Sequence, residues 1–194
     1  MGVMSDYAWG ATTNCKVRNG QTRTEYQCRF GWKVTNQYIE NGIGYSTIDF
    51  ILQVRSINSS YTTTGTGQTT KIDGVTVASN QHFSMASTNT WQTFGTRTVT
   101  VAHDGNGNYS AVHGGEFTST AGSSNYSLQS GSANATVTPD HIQLTKGHVM
   151  IKDTSGIVRR CPHVRAKEMN GTVHDIRYIM MKDFQGTIHE IKLY

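Results

Sequence analysis

Apolar and polar residues alternate with a period of two along much of this chain. Between Ser46 and Val54 the apolar positions are Ile48, Phe50, Leu52 and Val54. That period places four side chains on one face of a strand and predicts that they look into a core. Short runs rich in Val, Ile, Thr, Tyr and Phe recur as "TEYQCRFGWKVT", "YSTIDFILQVRSI", "TKIDGVTVAS", "WQTFGTRTVTVAH", "NYSAVHGGEF" and "SANATVT". Such residues suit a pleated, half-buried surface. The runs are punctuated by "RNGQT", "IENGIG", "KIDGV" and "HDGNGNY", each with Gly or Asn where a turn needs positive φ. No long helical period is present, and proline is confined to Pro139 and Pro162. The pattern predicts an all-β protein: an antiparallel β-sandwich, jelly-roll or Ig-like, over residues 12–138. An N-terminal arm (1–11) precedes it, and "TPDHIQLTKGH" reads as a linker at 139–148.

After the linker the pattern changes character. Cut every 15 residues from Val149, the chain reads "VMIKDTSGIVRRCPH", "VRAKEMNGTVHDIRY" and "IMMKDFQGTIHEIKL". Lysines align at Lys152, Lys167 and Lys182, and glycines at Gly156, Gly171 and Gly186. A strict period decides architecture before any other signal. Each unit has an acid-first, glycine-last turn ("DTSG", "EMNG", "DFQG"). The simplest expectation for 149–194 is a four-stranded antiparallel β-meander. A segment this small cannot bury both faces of a sheet alone. Its apolar positions, among them Val158, Val173, Ile176, Ile188 and Ile191, therefore need a covering surface, from the sandwich, other copies of the chain or a different protein; an assembly interface is expected, with a homotrimer the favoured state.

Composition narrows the function. Charged residues are 15% of the 194 and the formal net charge is +4, with the positive charge scattered and no nucleic-acid signature. No nucleic-acid partner is expected. The N-terminal stretch "MGVMSDYAWGATTN" lacks the apolar core of a signal peptide, and no stretch reaches the length of a membrane helix. Synthesis in a cytosol without membrane insertion is expected. Cys15, Cys28 and Cys161 have no metal-ligand spacing and are expected to be free thiols, with Cys15 and Cys28 able to face each other across a hairpin.

Candidate chemistry is sparse. His103, Asp104 and Glu116 could be posed as a catalytic set, but His103-Asp104 falls on a turn signal where Asp is expected structurally, so no enzyme is expected. Asp104, Asn106 and Asn108 have the alternate spacing of a calcium loop but lack its distal Glu, which leaves calcium open against a plain hairpin turn. His174 and His189 share a repeat column that Arg159 fills in the first repeat, which argues against a metal set. No cofactor is expected. Glycan contact is a further possibility, because exposed aromatics serve as stacking platforms. The candidates are Trp9, Tyr38, Tyr45, Tyr61, Trp91, Tyr109 and Tyr126; Tyr61, Trp91 and Tyr109 are put forward, Tyr61 being placed on a loop in "SINSSYTTTGTGQTT". Trp32 fits a buried position better.

Three pieces of the chain, in order, carry a family resemblance. "WKVTNQYIENGIGYSTIDFILQVRS", "KIDGVTV" and "TRTVTVAHDGNGNYS" resemble a family of tail-associated minor structural proteins of siphophages, over about residues 30–118. The units "VMIKDTSGIV" and "MMKDFQGTIHEI" separately resemble repeats found near the C-termini of phage tail and fibre proteins. The resemblance implies a virion location and a structural role in tail tip, fibre or capsid surface, in contact with other virion proteins. It carries over no catalytic residue. A host cell-surface glycan-binding module of the particle is the alternative.

Overall fold

The protein is described here by a computed structural model. It describes residues 2–57, 63–85, 89–121 and 125–144 with their side chains, and the backbone of the strands between 149 and 192. The chain divides into two compact units, Met1–Leu144 and Thr145–Tyr194.

The first unit is all-β, and the described residues contain no helix. Its strands are β1 (Ala8–Trp9), β2 (Thr13–Val17), β3 (Thr22–Glu40), β4 (Ile43–Ser56), β5 (Thr63–Ile72), β6 (Val75–Met85), β7 (Gln92–Ala102), β8 (Ala111–Ala121) and β9 (Leu128–Val137). One antiparallel sheet runs in the order β6-β5-β8-β9-β2-β3-β4-β7, with β1 added along β3. The stretch read as an arm is therefore part of the sheet: Trp9 pairs with Gly31, and the Met4 amide donates to the Val34 carbonyl at 2.9 Å. From the linker stretch, Ile142 is 2% exposed.

The sheet curls over until its two halves face each other as a sandwich. On β8, Gly115 permits the close approach: a Cβ there would meet Phe30 of β3 at 3.2 Å and Leu52 of β4 at 3.3 Å. Ile48, Phe50, Leu52 and Val54 are all fully buried, as the alternation predicts. Phe30 and Phe50 lie 5.4 Å apart, and Phe94 and Phe117 meet edge to face at 4.8 Å. Such pairs add specificity beyond the apolar area they bury. Trp32 is buried as expected, at 7% exposure.

The end strands β6 and β7 approach without joining as a ladder. The Phe83 and Phe94 rings meet across the seam, tilted, with centroids 5.2 Å apart. Among the described residues, three side chains tie β7 to β5 or β6 there. Gln68 Nε2 donates to the Phe94 carbonyl (3.1 Å), Arg97 Nη1 to that of Ile72 (3.1 Å) and Gln92 Nε2 to that of Ser84 (3.1 Å). Phe94 sits where the β4–β7 register slips, which explains a carbonyl available to a side chain.

Two hairpins close on two-residue turns. Asn41-Gly42 has φ of 50° and 77°, and Asp73-Gly74 has 50° and 74°, the left-handed pair that matches strand twist. The segment "TKIDGVTVAS" folds back at Asp73-Gly74, the turn that "KIDGV" signals, into β5 and β6. The Ser/Thr/Gly run read as a loop is β5 from Thr63 onward. Its burial alternates, and Gly65 leaves room for the Phe83 ring. Threonine is β-branched, so the run is polar yet suited to a strand.

In the second unit the strands are β10 (Val149–Lys152), β11 (Val158–Cys161), β12 (Arg165–Lys167), β13 (Val173–Asp175), β14 (Tyr178–Lys182) and β15 (Ile188–Lys192). They pair as β10-β11, β12-β13 and β14-β15. Each 15-residue repeat is its own hairpin, in place of one four-stranded meander. The register is the same each time: Lys152 opposite Val158, Lys167 opposite Val173, Lys182 opposite Ile188. Pro162 stands in the sequence between β11 and β12 and has no amide hydrogen for a ladder.

Candidate functional site: an aromatic and guanidinium face

The outer face of β3 and β4 carries the most distinctive arrangement in the first unit. Pleating sends Gln27, Arg29, Gly31 and Lys33 outward from β3, and Ile51, Gln53 and Arg55 outward from β4. Gln27 is register-opposite Arg55, and Arg29 is opposite Gln53. Each arginine forks onto the glutamine facing it. Arg29 Nε and Nη2 donate to Gln53 Oε1 at 3.0 and 2.7 Å. Arg55 Nε and Nη2 donate to Gln27 Oε1 at 3.1 and 2.7 Å. A planar guanidinium held at two points is preorganised.

Aromatic rings complete the face. Arg29 Cζ lies 3.6 Å from the Trp9 ring centroid and 4.2 Å from that of Trp91. Arg55 Cζ lies 4.4 Å from Trp91. Tyr7 and Trp9 are 5.7 Å apart, and Lys33 Nζ is 5.0 Å from the Tyr7 ring. The result is a ladder of Lys33, Tyr7, Trp9, Arg29, Trp91 and Arg55, in which each cation meets a ring face. Gly31 is its seat, because a Cβ there would stand 2.6 Å from Trp9 Cε3. Ile51, also pointing outward, is only 7% exposed. Trp9 itself remains 37% exposed. Burial, then the charge of Arg55, holds the Arg29 pKa below its ordinary value.

Of the aromatics singled out in the sequence, Trp9 and Trp91 belong to this face. Tyr109 is elsewhere and already engaged. Asp73 accepts from His113 Nδ1 at 2.8 Å, so His113 Nε2 is the acceptor for the Tyr109 hydroxyl, also at 2.8 Å. Burial, then the charge of Asp73, pushes the Tyr109 pKa up, which keeps it a donor. The same Asp73 takes the Gly114 amide at 3.1 Å and lies 3.7 Å from Arg97 Nη1. Tyr61 and Ile176 lie outside the described residues. Val158, Val173, Ile188 and Ile191 fall in β11, β13 and β15, where the description is of backbone alone. Arg29, Arg55 and Trp9 were not singled out together by sequence reasoning. The available signal was the alternation that puts positions 29 and 55 on the polar face of their strands.

The posed catalytic set is occupied differently. His103 Nδ1 donates to the Gly107 carbonyl at 2.9 Å, leaving Nε2 to accept from Ser46 Oγ at 2.7 Å. Gln37 Nε2 donates to Ser46 Oγ (3.1 Å) and to the Asp140 carbonyl (2.9 Å). Ser46 is fully buried and His103 nearly so, so this network ties the chain segment at Asp140 to β3 and β4. Asp104 Oδ1 accepts the amides of Asn108 (2.8 Å) and Asn106 (2.9 Å). Those bonds, Asn108 first, hold its pKa below the ordinary carboxylate range. Asn108 Oδ1 faces His141 Nδ1 at 3.2 Å. The geometry is that of a capped turn.

Cys15 and Cys28 are free and buried, and a Cβ at Gly131 of β9 would meet both sulfurs, at 2.8 and 3.1 Å. The hydrogen bond to Cys28, followed by burial, pushes the Cys15 thiol pKa up. Among the described residues no three His, Cys, Asp or Glu gather as metal ligands, and no helix is long and apolar enough to cross a membrane.

Comparison with protein-family models, with curated proteins and with solved structures returned no match.

Proposed function

We propose that this chain is a structural component of a bacteriophage virion, in tail tip, fibre or capsid surface, assembling through its β-sandwich and C-terminal repeat. The observation that carries the reading is the tandem of three hairpins in identical register. Two-stranded hairpins are marginal by themselves, so such a tandem needs a covering surface, and neighbouring copies in a homotrimer or other virion proteins would supply it. The motifs behind the family resemblance fall on the β3–β4 hairpin, the β5–β6 turn and the end of β7, which is consistent with that reading. Synthesis would be in the host cytoplasm, with no catalytic role. Light scattering on the full chain and on residues 1–147 tests assembly. A defined oligomer that becomes monomeric on truncation supports it; an oligomer that survives truncation removes the repeat as the assembly element. Mass spectrometry of purified particles tests location, and absence of the chain from them would end the virion reading.

A second reading, host-surface glycan binding, is favoured by the outer face of β3 and β4, where Trp91 joins the partly exposed Trp9. Retention on host cell-wall material that Trp91→Ala abolishes would establish it. Tyr61→Ala tests the loop candidate in the same assay.

A further inference from the structure

The two arginines of the outer face are unusual in what they lack. An arginine has five N–H donors, and the fork onto each glutamine uses two. Among the described residues neither guanidinium makes a further hydrogen bond. Among the described residues, the ion pairs are Arg23 with Glu25 and Arg97 with Asp73; no carboxylate pairs with Arg29 or Arg55. Two like charges are thus held beside one indole, 4.2 and 4.4 Å from its centroid, when a carboxylate between them would lower the energy of both. The glutamine forks point each guanidinium in a set direction, so the unused donors are not free to turn away. Beside them the Trp9 indole, packed against Gly31 and 37% exposed, offers apolar surface.

We propose that this face binds an acidic saccharide, a carboxylate-bearing sugar ring. Its carboxylate takes the unused N–H groups of Arg29 and Arg55, and its C–H face lies against the indoles of Trp9 and Trp91. Arginine favours planar, two-point recognition of carboxylates. The combination selects the ligand class. Inorganic phosphate would use the guanidiniums and leave the indoles idle, and a neutral sugar would do the reverse. An acidic peptide supplies carboxylates without a flat ring to cover the tryptophans. Hydroxyls of the sugar meet the side-chain amides of Gln27 and Gln53. The proposal rests on the glycan reading of this face and is independent of how the chain assembles.

Titration calorimetry on the full chain tests it, with oligogalacturonate as the probe and neutral maltooligosaccharide, poly-glutamate and inorganic phosphate as comparators. Saturable binding of oligogalacturonate is expected, with none of the comparators matching it. The Arg29→Gln/Arg55→Gln double variant and Trp91→Ala should each weaken it by about tenfold or more, the size of effect seen when an anchoring side chain is removed. Far-UV circular dichroism checks that the variants fold. Arg29→Lys/Arg55→Lys, which keeps the charge and loses the fork, should also weaken binding. Failure of oligogalacturonate to bind, equal affinity for poly-glutamate, or indifference to the variants would each overturn the proposal. Neutral oligosaccharide binding as tightly, through Trp91, would overturn the acidic specificity while leaving the glycan reading standing. Binding of no saccharide at all would remove both.

Discussion

Gly31→Ala probes whether the outer aromatic layer depends on a missing side chain. The new Cβ would stand 2.6 Å from Trp9 Cε3 and 2.7 Å from Cζ3, and the third-nearest atom, at 3.2 Å, is also in Trp9. Carbon atoms settle about 3.5–4.0 Å apart, so the indole must rise by roughly 1 Å. Uncovering roughly 30 Å² of apolar surface costs about 0.8 kcal/mol at about 25 cal/mol per Å². Loosening the Arg29 stack costs about 0.5–1 kcal/mol more. Alanine in a strand interior recovers about 0.5–1 kcal/mol relative to glycine. The net is a loss of about 1 kcal/mol, or roughly 2–4 °C in Tm for a chain of this size. In a Trp9→Ala background the obstacle is gone, and the same substitution should stabilise by about 0.5–1 kcal/mol. Urea titrations of the four proteins in the double-mutant cycle, followed by far-UV circular dichroism, measure this change of sign. If Gly31→Ala has the same sign in both backgrounds, Trp9 is not seated on Gly31 and the reasoning fails.

Other consequences are open to measurement. Phe117→Ala, at a side chain 1% exposed and packed edge-on to Phe94, should cost about 3–5 kcal/mol of unfolding free energy; a loss under about 1 kcal/mol would mean that the two halves of the sandwich are not packed through it. Gln68→Leu removes the donor to the Phe94 carbonyl across the seam and should cost about 1–3 kcal/mol. Hydrogen exchange should then rise in β6 and β7 ahead of β3 and β4, and uniform change would contradict the bridging role. The pKa of Asp104 is depressed by the amides of Asn108 and Asn106, so the folded state holds its proton less readily than the unfolded chain. The resulting stabilisation is complete above the unfolded value, roughly 4, and is lost as pH falls through the lower folded value. Asp104→Asn should therefore flatten the acid side of the urea-midpoint profile, and an unchanged acid slope would exclude Asp104 as a contributor.

Strand identity was legible in the residues because strand side chains alternate regardless of what they meet. Ile48, Phe50, Leu52 and Val54 reach the core for that reason, and Asn41-Gly42 and Asp73-Gly74 make their turns because few other residues adopt that backbone. The 15-residue period likewise announced a local unit, and each repeat is a hairpin in one register. Partnership across the sheet was not legible. Nothing near Trp9 in sequence indicates that it pairs beside Gly31 and stacks on Arg29, or that Trp91, far along the chain, covers Arg29 and Arg55 together. Nor does anything near Tyr109 show that its hydroxyl is committed to His113 and, through it, to Asp73. Local chemistry determined which residues could be strands, turns and outward-facing positions. Only the curling of one sheet onto itself decided which of them meet, because those contacts join strands distant in sequence and depend on the order in which the sheet is built.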